Sequence, residues 1–225
     1  MAVPKLKSEG KCIYCDELFT KAGISKHLNL HLEEEVKKQK NEKKSAFHIR
    51  AESDEMFLNL LIDGDAPLGI LDTFLREIWL ECCGHMSQFG TYGKEINMTK
   101  KISTVFKSGF ETTYEYDFGT TTQLDIRVLA VYPFTVNGKI QLLSRNEPLE
   151  ILCHKCSKEP AESICNVHIY DGEALFCKKC AVLHKKECED FADYAEMPVV
   201  NSPRMGECGY TGGVIDLERD GRFKK

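Results

Sequence analysis

No stretch of this sequence approaches the roughly 18 consecutive apolar residues that a membrane span needs; its longest apolar patterns carry Asp, Arg and Glu at helical intervals. Nor is there a charged region followed by an apolar run at the start, which reads MAVPKLKSEGKC, so a cytoplasmic address is expected. A strong positive balance is missing too. The net charge of -5 speaks against a basic coat for nucleic acid, and leaves polyanion contact to the lysine-rich first 45 residues. There is no internal repeat, and no biased tract beyond the Lys/Glu-rich HLEEEVKKQKNEKK, which reads as a solvated helix with i,i+4 pairs.

Cysteine is what the sequence has in excess, with eleven residues. In a reducing compartment, Cys-x2-Cys pairs near histidines read as metal sites rather than disulfides. Four close pairs crowd one stretch: Cys153/Cys156, Cys165/His168, Cys177/Cys180 and His184/Cys188. Donors two or three residues apart can occupy adjacent corners of a tetrahedron, so these eight supply two closed zinc sites. A further set, Cys12, Cys15, His27 and His31, supplies a third, and three Zn²⁺ ions are expected. Such small segments cannot fold on core burial alone; structural zinc contributes about 10–16 kcal/mol in finger peptides. Complete four-donor sets leave no open position for catalysis, so a non-enzymatic protein is expected.

Cys12-x2-Cys15-x11-His27-x3-His31 looks like a Cys2His2 finger over residues 10–32, with Phe19 and Ile24 at its core positions and an interval one residue shorter than usual. By that likeness Thr20, Gly23 and Lys26 stand where base readers project, and none is a bidentate Asn, Gln or Arg reader. Base-specific reading is therefore not expected. Non-specific phosphate contact through Lys5, Lys7, Lys11, Lys21 and Lys26 stays open beside protein contact. Residues 33–45 read as a charged helix or linker with little to bury.

Residues 46–145 read as an α+β domain. FHIRA and FLNLLID form two strands around a turn at DEM; Asp65 can cap, and Pro67 can open, a helix carrying Leu68, Leu71, Phe74, Leu75, Ile78, Trp79 and Cys82 on one stripe to Gly84. MSQF, ISTVF, TTYEYDF, QLDIRVLAVY and KIQLL read as further, mainly antiparallel strands, with a hairpin at Asn137-Gly138. Cys82 is expected in the core, and His85 at the helix C-terminus. The order strand, strand, helix, then His85 to Phe89, then YEYDFG (Tyr114 to Gly119) resembles the plasmid pRi ORF-3-like family, some of whose members are labelled insertion-element passenger proteins. After the glycine that family tends to show an acidic residue and a Trp, where this chain has Thr120, Thr121 and Thr122. The resemblance implies an α+β fold and a bacterial, mobile-element setting, with no particular activity; no recombinase pattern is present.

Residues 150–192 resemble cross-brace zinc domains of the B-box and MYND kind, through GEALFCKKC (Gly172 to Cys180) and a closing His-x3-Cys. That likeness implies that Cys153, Cys156, Cys177 and Cys180 share one ion, and Cys165, His168, His184 and Cys188 the other, whereas spacing alone equally allows consecutive pairs to share. It also implies protein contact. His154 is expected to turn outward. Residues 193–225 form a turn-rich tail, expected to pack Tyr210 onto the main domain; its Cys208, near Arg204, is the one candidate nucleophile for a thiol enzyme. The reading that follows is a zinc-binding adaptor with a protein partner and no membrane association, the alternatives being a nucleic-acid-binding accessory protein and that thiol enzyme.

Overall fold

A computed structural model of the chain describes residues 6–91 and 94–215; Lys5 and residues 216–225 of the expected basic arm and tail lie outside them. The fold is α+β. The chain divides into two compact units, one of Lys7–Arg76 and His85–Glu147, the other including residues 77–84 and 148–215.

The first unit is built on a sheet. Its elements are β1 (Glu9–Lys11), β2 (Leu18–Thr20), α1 (Ile24–Gln39), β3 (Ala46–Ser53), β4 (Met56–Asp63), α2 (Gly69–Leu75), β5 (Ser87–Thr91), β6 (Lys94–Ile96), α3 (Ile102–Val105), β7 (Glu111–Tyr116), β8 (Thr122–Tyr132) and β9 (Ile140–Arg145). Seven strands pair in the order β6-β5-β7-β8-β3-β4-β9, antiparallel throughout. Strand β8, TQLDIRVLAVY, alternates buried and exposed along its first half, the mark of one covered face; β4, MFLNLLI, is buried at every position, so both of its faces are covered. A turn at Asp54, held at φ +48, joins β3 to β4. Polar His48 and Asn59 face each other inside the sheet, His48 Nε2 3.0 Å from Asn59 Oδ1, and the ladder slips its register beside each of them. Burial holds His48 down to about 4, the bond to Asn59 only partly offsetting it.

Three local expectations are corrected here. ISTV forms the short helix α3 rather than a strand, because the amides of Ile102 and Ser103 donate to the carbonyls of Ala66 and Gly64 instead of to a neighbouring strand. Asp65 caps no helix: its carboxylate lies 2.9 Å from both Lys44 and Lys101, and α2 starts later, with Leu68 at its N-cap. Asn137-Gly138 turns the chain with Gly138 at φ +80, yet makes no hairpin, because β8 pairs with β3 and β7 while β9 crosses to the far edge beside β4. His85 Nε2 lies 3.5 Å from the carboxylate of Asp117, in the YDFG turn, where Asp117 also accepts from the Gly119 amide at 2.9 Å.

After α2 the helix widens into a π-turn, Arg76–Leu80. A stripe extrapolated at 3.6 residues per turn fails beyond such a turn, and Cys82, expected in the core, is only half-buried.

The second unit has little regular structure. Strands β10 (Ser163–Cys165), β11 (Leu175–Phe176) and β12 (Glu196–Pro198) pair in the order β11-β10-β12 beside the helix α4 (Lys178–Glu187). One of its apolar clusters is composed largely of metal-ligand candidates, with Phe176, Ala181, Phe191 and Ala195 between them. The tail is ordered: Ser202 Oγ donates to the Trp79 carbonyl at 2.6 Å, and Trp79, Arg204 and Tyr210 are buried. Gly213 admits the backbone so closely that a Cβ there would meet the Glu77 carbonyl oxygen at 2.3 Å.

Candidate metal centres

The donor atoms of Cys12, Cys15, His27 and His31 lie within 4.8 Å of one another. The β1-β2 hairpin carries Cys12 and Cys15 in its loop, and α1 presents His27 and His31 one turn apart on one side. His27 Nε2 is 3.3 Å from Cys15 Sγ and 3.2 Å from His31 Nε2. Two imidazole nitrogens directed at each other and at a sulfur suit a cation between them better than they suit mutual hydrogen bonds. The other face of α1 is less like an independent finger. Ile24, Leu28 and Leu32 are wholly buried in one cluster with Phe57, Leu61, Tyr132, Phe134 and Leu143 of the sheet unit. Ser25 Oγ, at the start of α1, donates to Asn59 Oδ1 at 2.9 Å. The helix is therefore seated on the sheet, and Val36, in the segment read as having little to bury, packs partly buried against the same cluster.

In the second unit the eight donors separate into two groups, Cys153, Cys156, Cys177 and Cys180, and Cys165, His168, His184 and Cys188, each with donor atoms within 4.8 Å. This is the interleaved arrangement. The loop after β11 and the start of α4 bring Cys177 and Cys180 to the knuckle at Cys153, where the amide of His154 donates to the Leu175 carbonyl at 2.8 Å. The second group draws Cys165 from the end of β10, His168 from the turn after it, His184 from α4, and Cys188 at that helix's C-cap. Cys165 Sγ and His168 Nδ1 are 3.1 Å apart. His154 is exposed.

Two local features tie these groups to metal binding independently of sequence spacing. First, the knuckles at Cys12 and Cys153 share one turn although they lie in different units. In each, the residue after the second cysteine is left-handed, Asp16 at φ +59 and Ser157 at φ +54, and its amide donates back to the first cysteine's carbonyl at 2.9 and 2.8 Å respectively. Such conformations are disfavoured for a residue with a Cβ and persist where the surrounding structure demands them. Second, the donors are in an environment that a cation would stabilise. Burial raises the Cys153 thiol, but the amides of Cys177, Cys156 and Lys155 outweigh it and bring it down to about 6. Burial and hydrogen bonds from the neighbouring thiols push Cys180 of the same group up to about 12. Four thiols in contact cannot all ionise unless positive charge lies among them. In the other group His184 Nε2 is buried with no hydrogen-bond partner, a costly state that a metal–nitrogen bond would relieve. The residues thus fit Zn²⁺ in donor type, number and environment.

A fourth group escaped sequence reasoning. Cys83 Sγ lies 3.9 Å from Cys82 Sγ and 3.6 Å from Cys208 Sγ. Adjacent cysteines and a third one 125 positions from Cys83 have no recognisable metal spacing, so only the fold reveals them.

The lysines proposed for phosphate contact are unevenly placed. Lys11 and Lys26 are exposed, while Lys21 is engaged at 3.1 Å with Glu52 and also donates to the Asp54 carbonyl.

Among the described residues no helix is long and apolar enough to cross a membrane. No family model and no curated protein matches the chain. Among solved structures, it is similar to the crystal structure of a protein of unknown function from Methanosarcina mazei Go1, at 15% identity and a TM-score of 0.36 over 45% of this chain and 67% of that one. That likeness is too slight to establish fold or function.

Proposed function

We propose that this protein is a zinc-stabilised, non-enzymatic adaptor whose Cys-rich unit presents a surface to a protein partner. The observation that carries this reading is the apolar surface around the second four-donor group. Tyr170, Val182, Leu183 and Tyr194 are 77%, 56%, 48% and 65% exposed, and they stand on or beside α4 and the turns that supply His168, His184 and Cys188. Exposed aromatic and aliphatic side chains mark contact surfaces more than solubility. A zinc-held module of this kind offers them on a rigid support, which lowers the ordering cost of association. Closed four-donor groups support structural rather than catalytic zinc, and three ions follow from the three groups.

The nucleic-acid reading has less support. Lys21 is occupied by Glu52, and Ser25 at the start of α1 is tied to Asn59, so two polar groups beside the exposed Thr20 and Lys26 are already engaged within the sheet unit. The mobile-element setting rests on the pRi ORF-3-like resemblance. Cys208 Sγ lies 3.6 Å from Cys83 Sγ, within a group of metal-ligand side chains, which favours metal over nucleophilic chemistry.

The test is site-specific photocrosslinking from position 182 or 194, with the captured protein identified and its binding measured against wild type and a Leu183→Asp/Tyr194→Asp variant that retains its zinc. Saturable binding by wild type, lost at least tenfold in the variant, is expected. Binding dominated by nucleic acid, weakening steeply along a salt series, would overturn the adaptor reading.

A further inference from the structure

We infer that Cys82, Cys83 and Cys208 form a fourth metal site, for Zn²⁺ or a similar thiophilic ion, that fastens the C-terminal segment to the end of the α2–π helix. The three sulfurs lie within 4.8 Å of one another, close enough to be three corners of one coordination tetrahedron whose Zn–S bonds would be about 2.3 Å. The next ligand-type side chain along the sequence is His85, two residues after Cys83.

Three observations point to a cation rather than to coincidence. The segment bearing Cys208 takes a costly backbone path. Cys208 is itself left-handed at φ +47, between Gly206 at +84 and Gly209 at +69, as are the residues that close the knuckles at Cys12 and Cys153. A left-handed cysteine needs a reason, and delivery of its sulfur to Cys83 supplies one. Next, Arg204 is wholly buried, and among its contacts is Cys82 Sγ, 3.9 Å from Nη2. Three thiolates around one divalent cation leave a net negative charge, and a buried guanidinium beside them compensates it. Finally, the backbone there is fixed without the metal's help. The amide of Arg204 donates to Ser202 Oγ, which in turn donates to the Trp79 carbonyl, so the chain carrying Cys208 is anchored at Trp79, three residues before Cys82 and four before Cys83. Binding deprotonates three thiols and releases three protons to solvent, with no change in oxidation state.

This site differs from the other three in access. Cys83 and Cys208 are exposed, whereas every other group has at least one wholly or nearly buried cysteine. Exposed thiolate ligands are reached readily by competing chelators and exchange faster. The fourth ion is therefore the first to leave, and its loss unlinks Cys208 from Cys83 while the Ser202 contact still holds the backbone and the interleaved pair stays loaded.

The test compares zinc per chain, by elemental analysis of protein purified under reductant, between wild type and a Cys83→Ser/Cys208→Ser variant. Both positions are exposed, so the variant is expected to fold, and amide exchange over the interleaved groups is the control. A difference of one ion per chain is expected. The variant should also lack the fastest phase of zinc transfer to a chromogenic chelator, and cobalt-loaded protein should lose part of its sulfur-to-metal charge-transfer absorbance. Equal zinc content, or a two-dalton mass deficit in wild type showing a Cys83–Cys208 disulfide, would overturn the proposal. Because the readout is a difference, it stands whether or not a protein partner exists.

Discussion

The two units of this chain solve the same problem by different means. The sheet unit buries long apolar runs: Leu58, Leu60, Ile62 and Ile49 are wholly enclosed, and its strands reach eight and eleven residues. The Cys-rich unit has strands of two or three residues, and the side chains at its centre are the metal donors themselves. Hydrophobic burial grows with the area enclosed, so a segment with this few apolar residues needs another source of free energy. Metal coordination at the four-donor groups would be that source, and it would act all at once rather than residue by residue. The finger falls between the two. It has a complete donor set, yet its helix rests on the sheet through Ile24, Leu28 and Leu32.

The strongest way to break this comparison is to remove ligands from the Cys-rich unit. Cys153→Ser/Cys177→Ser is expected to abolish amide protection across residues 150–192 while the strands β3, β4 and β8 stay protected; retained protection in the module would mean that packing, not metal, holds it. The reciprocal change is Leu60→Ala. It should cost about 2–5 kcal/mol of sheet stability, read as a lowered melting temperature with zinc content unchanged, and loss of zinc with it would contradict the division.

Acid should separate the units further. His48 is depressed to about 4 from 6.5, so it folds neutral. Its contribution is complete above pH 6.5 and is lost as pH falls toward 4, because the unfolded chain takes up the proton first. That window is worth on the order of 3 kcal/mol, and denaturation of a His48→Gln variant, measured between pH 7 and 4.5, should show a flatter profile than wild type. An unchanged slope would assign the acid sensitivity elsewhere.

The smallest expected effect sharpens the intermediate case. His27→Ala should release one ion yet leave α1 protected, and should destabilise less than Leu28→Ala. An isolated finger would show the reverse order. Denaturant midpoints of the two variants decide between them.

Much of this was legible beforehand because metal spacing is a local code. Pairs such as Cys153/Cys156 and His184/Cys188 name their chemistry wherever they occur, and the left-handed turns at Asp16 and Ser157 follow from closing such a loop. How the pairs in the Cys-rich unit combine is a long-range property, implied only by likeness to interleaved domains. The β3-β4 pair could be read from its apolar runs, whereas the placement of β9 could not: an Asn-Gly turn signals a reversal, not which strand the chain next meets. The Cys82, Cys83 and Cys208 cluster was hidden twice, by its separation in sequence and by the π-turn at Arg76–Leu80 that rotates Cys82 off the stripe on which a regular helix would place it. The seating of α1 was hidden because Leu28 and Leu32 fall where a free finger already uses apolar residues.

The most direct measurement is region-resolved hydrogen exchange on the full chain, before and after complete removal of metal by a chelator under reductant, with zinc then restored. Residues 150–192 should lose protection and regain it with zinc, while β3, β4 and β8 exchange as slowly as before. A Cys-rich unit that stays protected without metal would contradict the claim that coordination, rather than burial, folds it.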